Sequence, residues 1–266
     1  MPEMDHISFT RDLEKLQPIT LEEMKSVKLM NRIDAKFLTN EATLRGILAD
    51  AAAAGYRVLV TEGERESPYD SVYFDTPGLR MFYDHHNRRL VRQKVRTRCY
   101  VRSGEAYLEI KRKNNHGRTS KKRIGLPPEQ MNGFSGNPEA CAYLARHSWF
   151  TEQDLAPSLE TAFTRITLVN PSLTERLTID TRLRFKNFRT ARETTLQDAV
   201  IIELKQDGRA RSAMRSIFLE HRIKPARVSK YCIGITLTDP LAKSGRFKVK
   251  VRAIEKTIGK KLETIC

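Results

Sequence analysis

The chain has 266 residues, of which 39% are hydrophobic and 30% charged, enough to bury a real core and of a length that suits one elaborated domain at least as well as two. Its 48 Lys and Arg against 32 Asp and Glu leave a formal charge of +16, so a polyanion is the expected partner: nucleic acid, an anionic membrane surface or polyphosphate. Cys99, Cys141, Cys232 and Cys266 are widely spaced with no CxxC pair, which argues against a zinc knuckle and against a disulfide framework, and no apolar run approaches the roughly 20 residues of a bilayer span.

Free thiols fit a reducing cytosol, and MPEMDHISFT lacks the charged-then-apolar plan of a signal peptide. A cytoplasmic location is expected. Along the chain, residues 12–30 predict a short amphipathic helix pair broken at Pro18, with Thr20 as N-cap and Glu23 completing a capping box. NRIDAKFLTN reads as a strand, and EATLRGILADAAAAGY as a helix with Leu44, Ile47 and Leu48 on one face and Gly55 at its end.

From residue 69 the period changes to two: YDSVYFDT, RQKVRTRCYV, AYLEIKRKN and TSKKRIGL predict strands separated by turns. PEACAYLARHSWF is a helical insert, and LETAFTRITLV, RLTIDTRLRF and AVIIELKQ are three further strands. A helix around ARSAMRSIFLEH precedes RVSKYCIGI, which reads as helix or strand, and the final GRFKVKVRAIEKTIGKKLETIC as a basic tail or helix. The expected division is an N-terminal helical segment over 1–30, the main domain over 31–240 and a basic C-terminal tail over 241–266. Seven or eight strands with interspersed helices favour a barrel-like α+β fold over a doubly wound parallel sheet.

Side chains two apart on a strand share a face. Lys94, Arg96, Arg98 and Tyr100 therefore oppose Val95, Thr97, Cys99 and Val101, while Tyr107, Glu109, Lys111 and Lys113 oppose Leu108 and Ile110. The same split separates Arg176, Thr178, Asp180, Arg182 and Arg184 from Leu177, Ile179, Thr181 and Leu183. It also separates Glu203 and Lys205 from Ile202 and Leu204, and Arg32, Asp34 and Lys36 from Ile33, Ala35 and Phe37. Alternation of this kind ordinarily marks a face in water. Cations stacked at i, i+2 and i+4 repel one another, however, unless an anion neutralises them. A closed barrel with cationic faces inward and helices covering its apolar outside satisfies both facts. Arg offers phosphate a planar fork and Lys a point charge, and the few carboxylates are explained by a Mg²⁺ or Mn²⁺ shared with phosphate oxygens.

At LMNRIDAKFL, SVYFDT, KVRTRCY, LEIKRK, SKKR, the Arg165 strand, RLTIDT, IIELK and RVSKY the chain resembles the polyphosphate-polymerase domain of the vacuolar transporter chaperone family, a branch of the triphosphate tunnel metalloenzymes. The resemblance implies an eight-stranded antiparallel β-barrel, or triphosphate tunnel, with helices packed outside. Its phosphate ligands would be Lys36, Arg96, Arg98, Lys111, Lys122 or its neighbour Lys121, Arg165, Arg176, Lys205 and Lys230. Glu203 would be the metal ligand, and Glu109 is a second metal candidate. Where the wider superfamily opens with a Glu-x-Glu-x-Lys strand, this chain has Arg32, Asp34 and Lys36, leaving fewer acids for a second metal. Eukaryotic catalytic members belong to a membrane complex, so a stand-alone chain is expected either to use a separate membrane partner or to work in solution.

The activity expected from these residues is transfer of the γ-phosphate of ATP to polyphosphate, aided by Mn²⁺ or Mg²⁺. Arg96, Arg98 and Arg176 would meet transition-state charge, and Lys36 and Lys230 would hold the polymer. With water as acceptor the same machinery is a triphosphatase; without turnover it is a polyphosphate sensor or accessory subunit. Nucleic acid is not the expected partner, because the sole tryptophan, Trp149, falls in the helical insert and most Phe residues on apolar strand faces. No P-loop is present, since Gly259 and Lys260 lack the upstream glycine and the hydroxyl. His85 and His86, being adjacent, point apart, Asp75 reads as a turn or helix-capping residue, and Asp180 as the partner of an arginine.

Overall fold

The computed structural model describes residues 9–25, 27, 32–208 and 211–262, together with the backbone but not the side chain of Arg32. At the start, α1 (Thr10–Glu14) and α2 (Leu21–Met24) form the helix pair read on either side of Pro18, with β1 (Gln17–Ile19) between them, and residues 26 and 28–30 of that reading lie outside the described residues. Pro18 lies in β1, which runs parallel to β3 (Arg57–Leu59). A short edge strand accommodates the missing proline N–H. The capping box forms as read: the Thr20 amide donates to Glu23 Oε2 over 2.8 Å and the Glu23 amide to Thr20 Oγ1 over 3.2 Å.

NRIDAKFLTN gives β2 (Arg32–Asn40), and the Asn40 side chain then caps α3 (Glu41–Ala53) by accepting from the Thr43 amide. Gly55 follows with φ 76°, the left-handed turn that glycine takes without a Cβ penalty. After β4 (Ser67–Asp75) and α4 (Arg80–His86), the period-two segments form a meander of β5 (Arg92–Tyr100), β6 (Glu105–Lys113) and β7 (Thr119–Leu126). Beyond α5 (Pro138–His147) lie β8 (Ala156–Val169), β9 (Glu175–Asn187), β10 (Glu193–Leu196) and β11 (Ala199–Asp207), then α6 (Ala213–Glu220), α7 (Lys230–Thr238) and α8 (Gly245–Ile258). RVSKYCIGI thus supplies a helix, and much of the basic C-terminal stretch is helical too.

The chain forms two compact units, Met1–Ser67, Thr164–Thr181 and Asp198–Val228 in the first and Pro68–Phe163, Arg182–Gln197 and Ser229–Cys266 in the second, with β8 and β9 contributing to both. In the first unit the strand order is β2-β11-β9-β8-β3-β1. The β2–β11 register sets Lys36 opposite Glu203 and Asp34 opposite Lys205, and the β11–β9 register sets Lys205 opposite Arg176. Phe37, Leu177, Ile179, Ile202 and Leu204 turn the other way and are buried with Leu44, Ile47 and Leu48 of α3 and Ile217 and Phe218 of α6.

In the second unit the order is β9-β8-β4-β5-β6-β7, with β10 beside β9. Val72, Phe74, Val95, Leu108 and Ile110 form its core with Ala140 and Leu144 of α5. Gly234 lets α7 approach closely, because a Cβ there would lie 2.4 Å from Leu159 Cδ2. In each unit the apolar faces pack against helices.

The expected eight strands are found along the path from β2 to β7. Among the described residues β2 carries beyond β11 only an isolated bridge from Phe37 to Pro225, and β7 pairs with β6 alone. No pairing joins β2 to β7 among the described residues. The exposed β7 presents Lys121, Lys122 and Arg123, and such a charged edge resists a further strand.

Candidate phosphate-binding site

In the first unit the cross-strand registers gather the charges read from sequence on one face. Lys36 Nζ lies 3.3 Å from Glu203 Oε2, and both side chains are partly exposed. Arg165 grips Asp180 with two parallel bonds, Nε to Oδ1 at 2.7 Å and Nη2 to Oδ2 at 2.9 Å, the fork geometry that Lys lacks. Asp180 is thus an arginine partner, as its sequence position suggested. Burial, together with the positive charges of Arg176 and Arg165, lowers the Lys205 ammonium below its usual range despite the opposing pull of Glu203 and Asp34.

The second unit holds a denser cluster. Arg96 donates through Nε and Nη2 to Glu109 Oε2 at 2.8 and 2.5 Å and through Nη1 to the Tyr73 hydroxyl at 3.0 Å. Lys121 pairs with the other Glu109 oxygen. Arg98 Nε donates to Ser71 Oγ at 3.0 Å and its guanidinium lies over the rings of Tyr69 and Phe163. Lys230 Nζ stands 4.4 Å from the Phe163 centroid, and Lys94 Nζ donates to Ser229 Oγ at 2.9 Å. The β5–β6–β7 register adds Lys111, opposite both Lys94 and Lys121. Lys122 is opposite Ile110 and so belongs to the other face.

The electrostatics of this cluster favour anions. Burial pushes the Tyr73 phenol up, but Arg96, Lys94, Arg98 and Lys230 overcome it and bring its pKa down to about 7. Glu109 is only 1% exposed. Burial raises it, yet Arg96, Arg98 and Lys121 hold it at about 2.

A hard cation needs few protein ligands when substrate oxygens complete its shell. Among the described residues no group of three or more His, Cys, Asp or Glu side chains forms a ready cage. Glu203, partly exposed beside Lys36 and diagonal to Asp34 across β2 and β11, fits the mode in which one or two carboxylates act with phosphates. Glu109 matches it less well, because each of its oxygens already meets a cation.

The VTC domain family matches residues 31–238. The chain belongs to the VTC domain family. Membership makes this VTC domain a polyphosphate- or triphosphate-related enzyme. No curated protein matches it. Among solved structures it is similar to HpAC1 of Hippeastrum, an adenylyl cyclase by name whose structure is reported with a dominant triphosphatase activity (12% identity, 76% of this chain and 94% of that one, TM-score 0.49). It is also similar to the PH1819 protein of Pyrococcus horikoshii OT3 (9% identity, 76% and 97%, TM-score 0.42) and to PH1012 of the same organism (11% identity, 88% and 94%, TM-score 0.36).

Sequence reasoning passed over Tyr73 and Ser229 in this VTC domain, and placed Lys94 on the cationic face without naming it a phosphate ligand. A signal was present for Tyr73: in SVYFDT it alternates with Val72 and Phe74, and its register partner is Arg96. Asp75, on the same strand, accepts from the amides of Thr76, Met81 and Phe82 at 2.8, 2.9 and 2.9 Å and from the Tyr231 hydroxyl. It anchors the start of α4. His86 lies beside Asn87 and accepts from the Arg246 amide, while burial, reinforced by Lys94 and Arg92, drives His85 down to about 2.

Proposed function

We propose that the VTC domain is a metal-dependent polyphosphate polymerase that transfers the γ-phosphate of ATP to the end of a polyphosphate chain. The observation that carries this reading is the gathering of Arg96, Arg98, Lys94, Lys121 and Lys230 about Tyr73, Ser71, Ser229, Glu109 and Phe163, a cluster that also draws the Tyr73 phenol toward ionisation. A field that favours a phenolate favours the oxygens of a phosphoryl group more strongly, since these carry more charge.

Phosphoryl transfer asks the protein for position and for stabilisation of equatorial oxygens rather than for a nucleophile. A terminal polyphosphate oxygen attacks the γ-phosphorus, the bond to the β–γ bridging oxygen breaks, and its electron pair leaves with ADP. Arg96 and Arg98, with planar forks braced by Glu109 and Ser71, take the charge of the transferring group, and Arg176 offers the same fork in the first unit. In the second unit Lys111, Lys121 and Lys230 are suited to hold phosphates as point charges, and within the first unit Lys36 and Lys205 offer the same chemistry. Glu203 is the residue fitted to hold Mg²⁺ or Mn²⁺, whose chemistry when bound is neutralisation of phosphate oxygens. Which of the two ions is used follows from the assay below.

Purified protein incubated with ATP and either ion, with Glu203→Ala alongside, is analysed for ADP, free phosphate and polyphosphate. Polyphosphate that the variant fails to make supports the polymerase. Free phosphate without polymer makes water the acceptor and the protein a triphosphatase, and tight polyphosphate binding without turnover makes it a binding subunit.

A further inference from the structure

The only tryptophan of the chain stands outside the phosphate-binding cluster, and the structure gives it a built setting. Trp149 follows α5 and is 44% exposed. Its backbone is fixed by Gln93, itself 1% exposed, which donates to Ser148 Oγ over 2.6 Å and accepts from the Trp149 amide at 3.2 Å. The Arg112 guanidinium lies 5.1 Å from the indole centroid. On β6, Arg112 alternates with Lys111 and Glu109 and so belongs to the face opposite the Arg96–Glu109 cluster.

Two adjoining open grooves, of about 610 and 540 Å³, share Val91, Asn115 and Trp149 as walls. These volumes fall in the range of small-molecule sites, roughly 300–1,000 Å³. Leu90 and Val91 expose 59% and 47% of their surface along the first groove, and the second carries Arg112, Lys113 and Arg118. The hairpin that presents Arg118 is ordered by its own bonds: the Arg118 amide donates to Asn114 Oδ1 at 2.9 Å and the Asn114 amide to the Arg118 carbonyl at 3.0 Å.

Exposed apolar side chains beside a half-exposed indole, with three cations next to them, make a two-part ligand the natural occupant. A bare phosphate chain uses only the cations and leaves the indole, Leu90 and Val91 in water. A flat aromatic base buries against Trp149 and Val91, and phosphate attached to it meets Lys113 and Arg118. We propose that this groove is a binding site for a nucleoside phosphate, held by a base on Trp149 and by phosphate on the cations of β6 and the following hairpin. The same chemistry is offered by a free mononucleotide and by a nucleotide within a single strand. The inference is independent of the phosphotransfer reading.

Because Trp149 is the sole tryptophan, its emission reports on this groove alone. The intact protein is titrated, with excitation selective for tryptophan, with AMP, with a short single-stranded oligoadenylate and with inorganic tripolyphosphate at matched ionic strength. The expected result is a saturable emission change with AMP or oligoadenylate, and a much smaller one with tripolyphosphate. In Arg112→Ala the midpoint moves to higher ligand concentration. Binding of a fluorescent AMP analogue, followed by anisotropy, weakens about tenfold in Trp149→Ala, the loss that one stacked base represents. Preference for oligoadenylate over AMP identifies a strand as the source, and equal affinity identifies the free nucleotide. No saturable change with either, or an equal response to tripolyphosphate, overturns the proposal. AMP carries no transferable γ-phosphate, so a failure here leaves the phosphotransfer assay untouched.

Discussion

Arg96 places Nη1 3.0 Å from the Tyr73 hydroxyl while its Nε and Nη2 hold one oxygen of Glu109. One guanidinium thus joins a phenol that its neighbours pull toward ionisation to a carboxylate that they keep ionised. Whatever phosphate meets this arginine meets it already oriented, because the Glu109 bonds fix the plane of the fork.

The Tyr73 phenol is expected to titrate near pH 7. Spectrophotometric titration of the folded protein then shows phenolate absorbance rising through about pH 7, and Tyr73→Phe lacks that step. The folded pKa of about 7 lies below the usual 10.0, so the stability from this ionisation is fully present above pH 10 and is lost as pH falls through 7. Chemical denaturation should show wild type gaining on Tyr73→Phe between these limits. Since a phenolate cancels one positive charge, tripolyphosphate binding should weaken in wild type as pH rises through 7 and do so less in the variant. Identical profiles for the two proteins would remove Tyr73 from the cluster's electrostatics.

Glu109→Gln should destabilise the protein by about 3–5 kcal/mol, because it leaves Arg96, whose side chain is 14% exposed, with no charge partner at Glu109. Lys121 is more exposed and adds less. With the Glu109 carboxyl held at about 2 against a usual 4.5, its contribution is complete above pH 4.5 and disappears as pH falls through 2. Thermal melts of wild type and variant should accordingly converge on acidification.

Lys121 and Lys122 separate by face. Lys121→Ala should weaken tripolyphosphate binding roughly tenfold, the worth of one charge-assisted contact, and should reduce its salt dependence. Lys122→Ala, opposite Ile110, should leave binding nearly unchanged. Isothermal titration at two salt concentrations measures both, and equal losses would refute the assignment of faces.

Gly234→Ala tests the packing of α7. Its Cβ would lie 2.4 Å from Leu159 Cδ2 and 2.8 Å from Phe185 Cδ1, and overpacking of this kind costs about 1–3 kcal/mol. A lower melting temperature is expected, accompanied by weaker phosphate binding, since Lys230 stands at the first position of the same helix.

Much of this molecule was legible without coordinates. The period-two runs from Tyr69 to Leu126 and from Leu159 to Gln206, the capping box of Thr20 and Glu23, and the glycine stop at Gly55 are local signals. They depend on the backbone and on which side of a strand each residue takes. The charged faces followed from the same alternation, and Asp75 and Asp180 were readable as structural acids. Arg182 marks where alternation alone falls short: its φ of 52° interrupts the regular β9 conformation, and nothing in RLTIDTRLRF announces it.

Tertiary structure decided what register decides. Adjacent lysines at 121 and 122 are equivalent in composition, and only the pairing of Ile110 with Lys122 and of Lys111 with Lys121 assigns them to opposite faces. Glu109 is a metal candidate by sequence, and only the structure places its two oxygens on Arg96 and Lys121. Pro18 separates two helices as read, but that the break is a strand was not legible, because its partner Val58 lies 40 positions along the chain. Contacts between residues far apart in sequence are set by strand pairing and packing, which a local pattern does not encode. For that reason the kind of surface was visible in the sequence, while the partner of each charge was not.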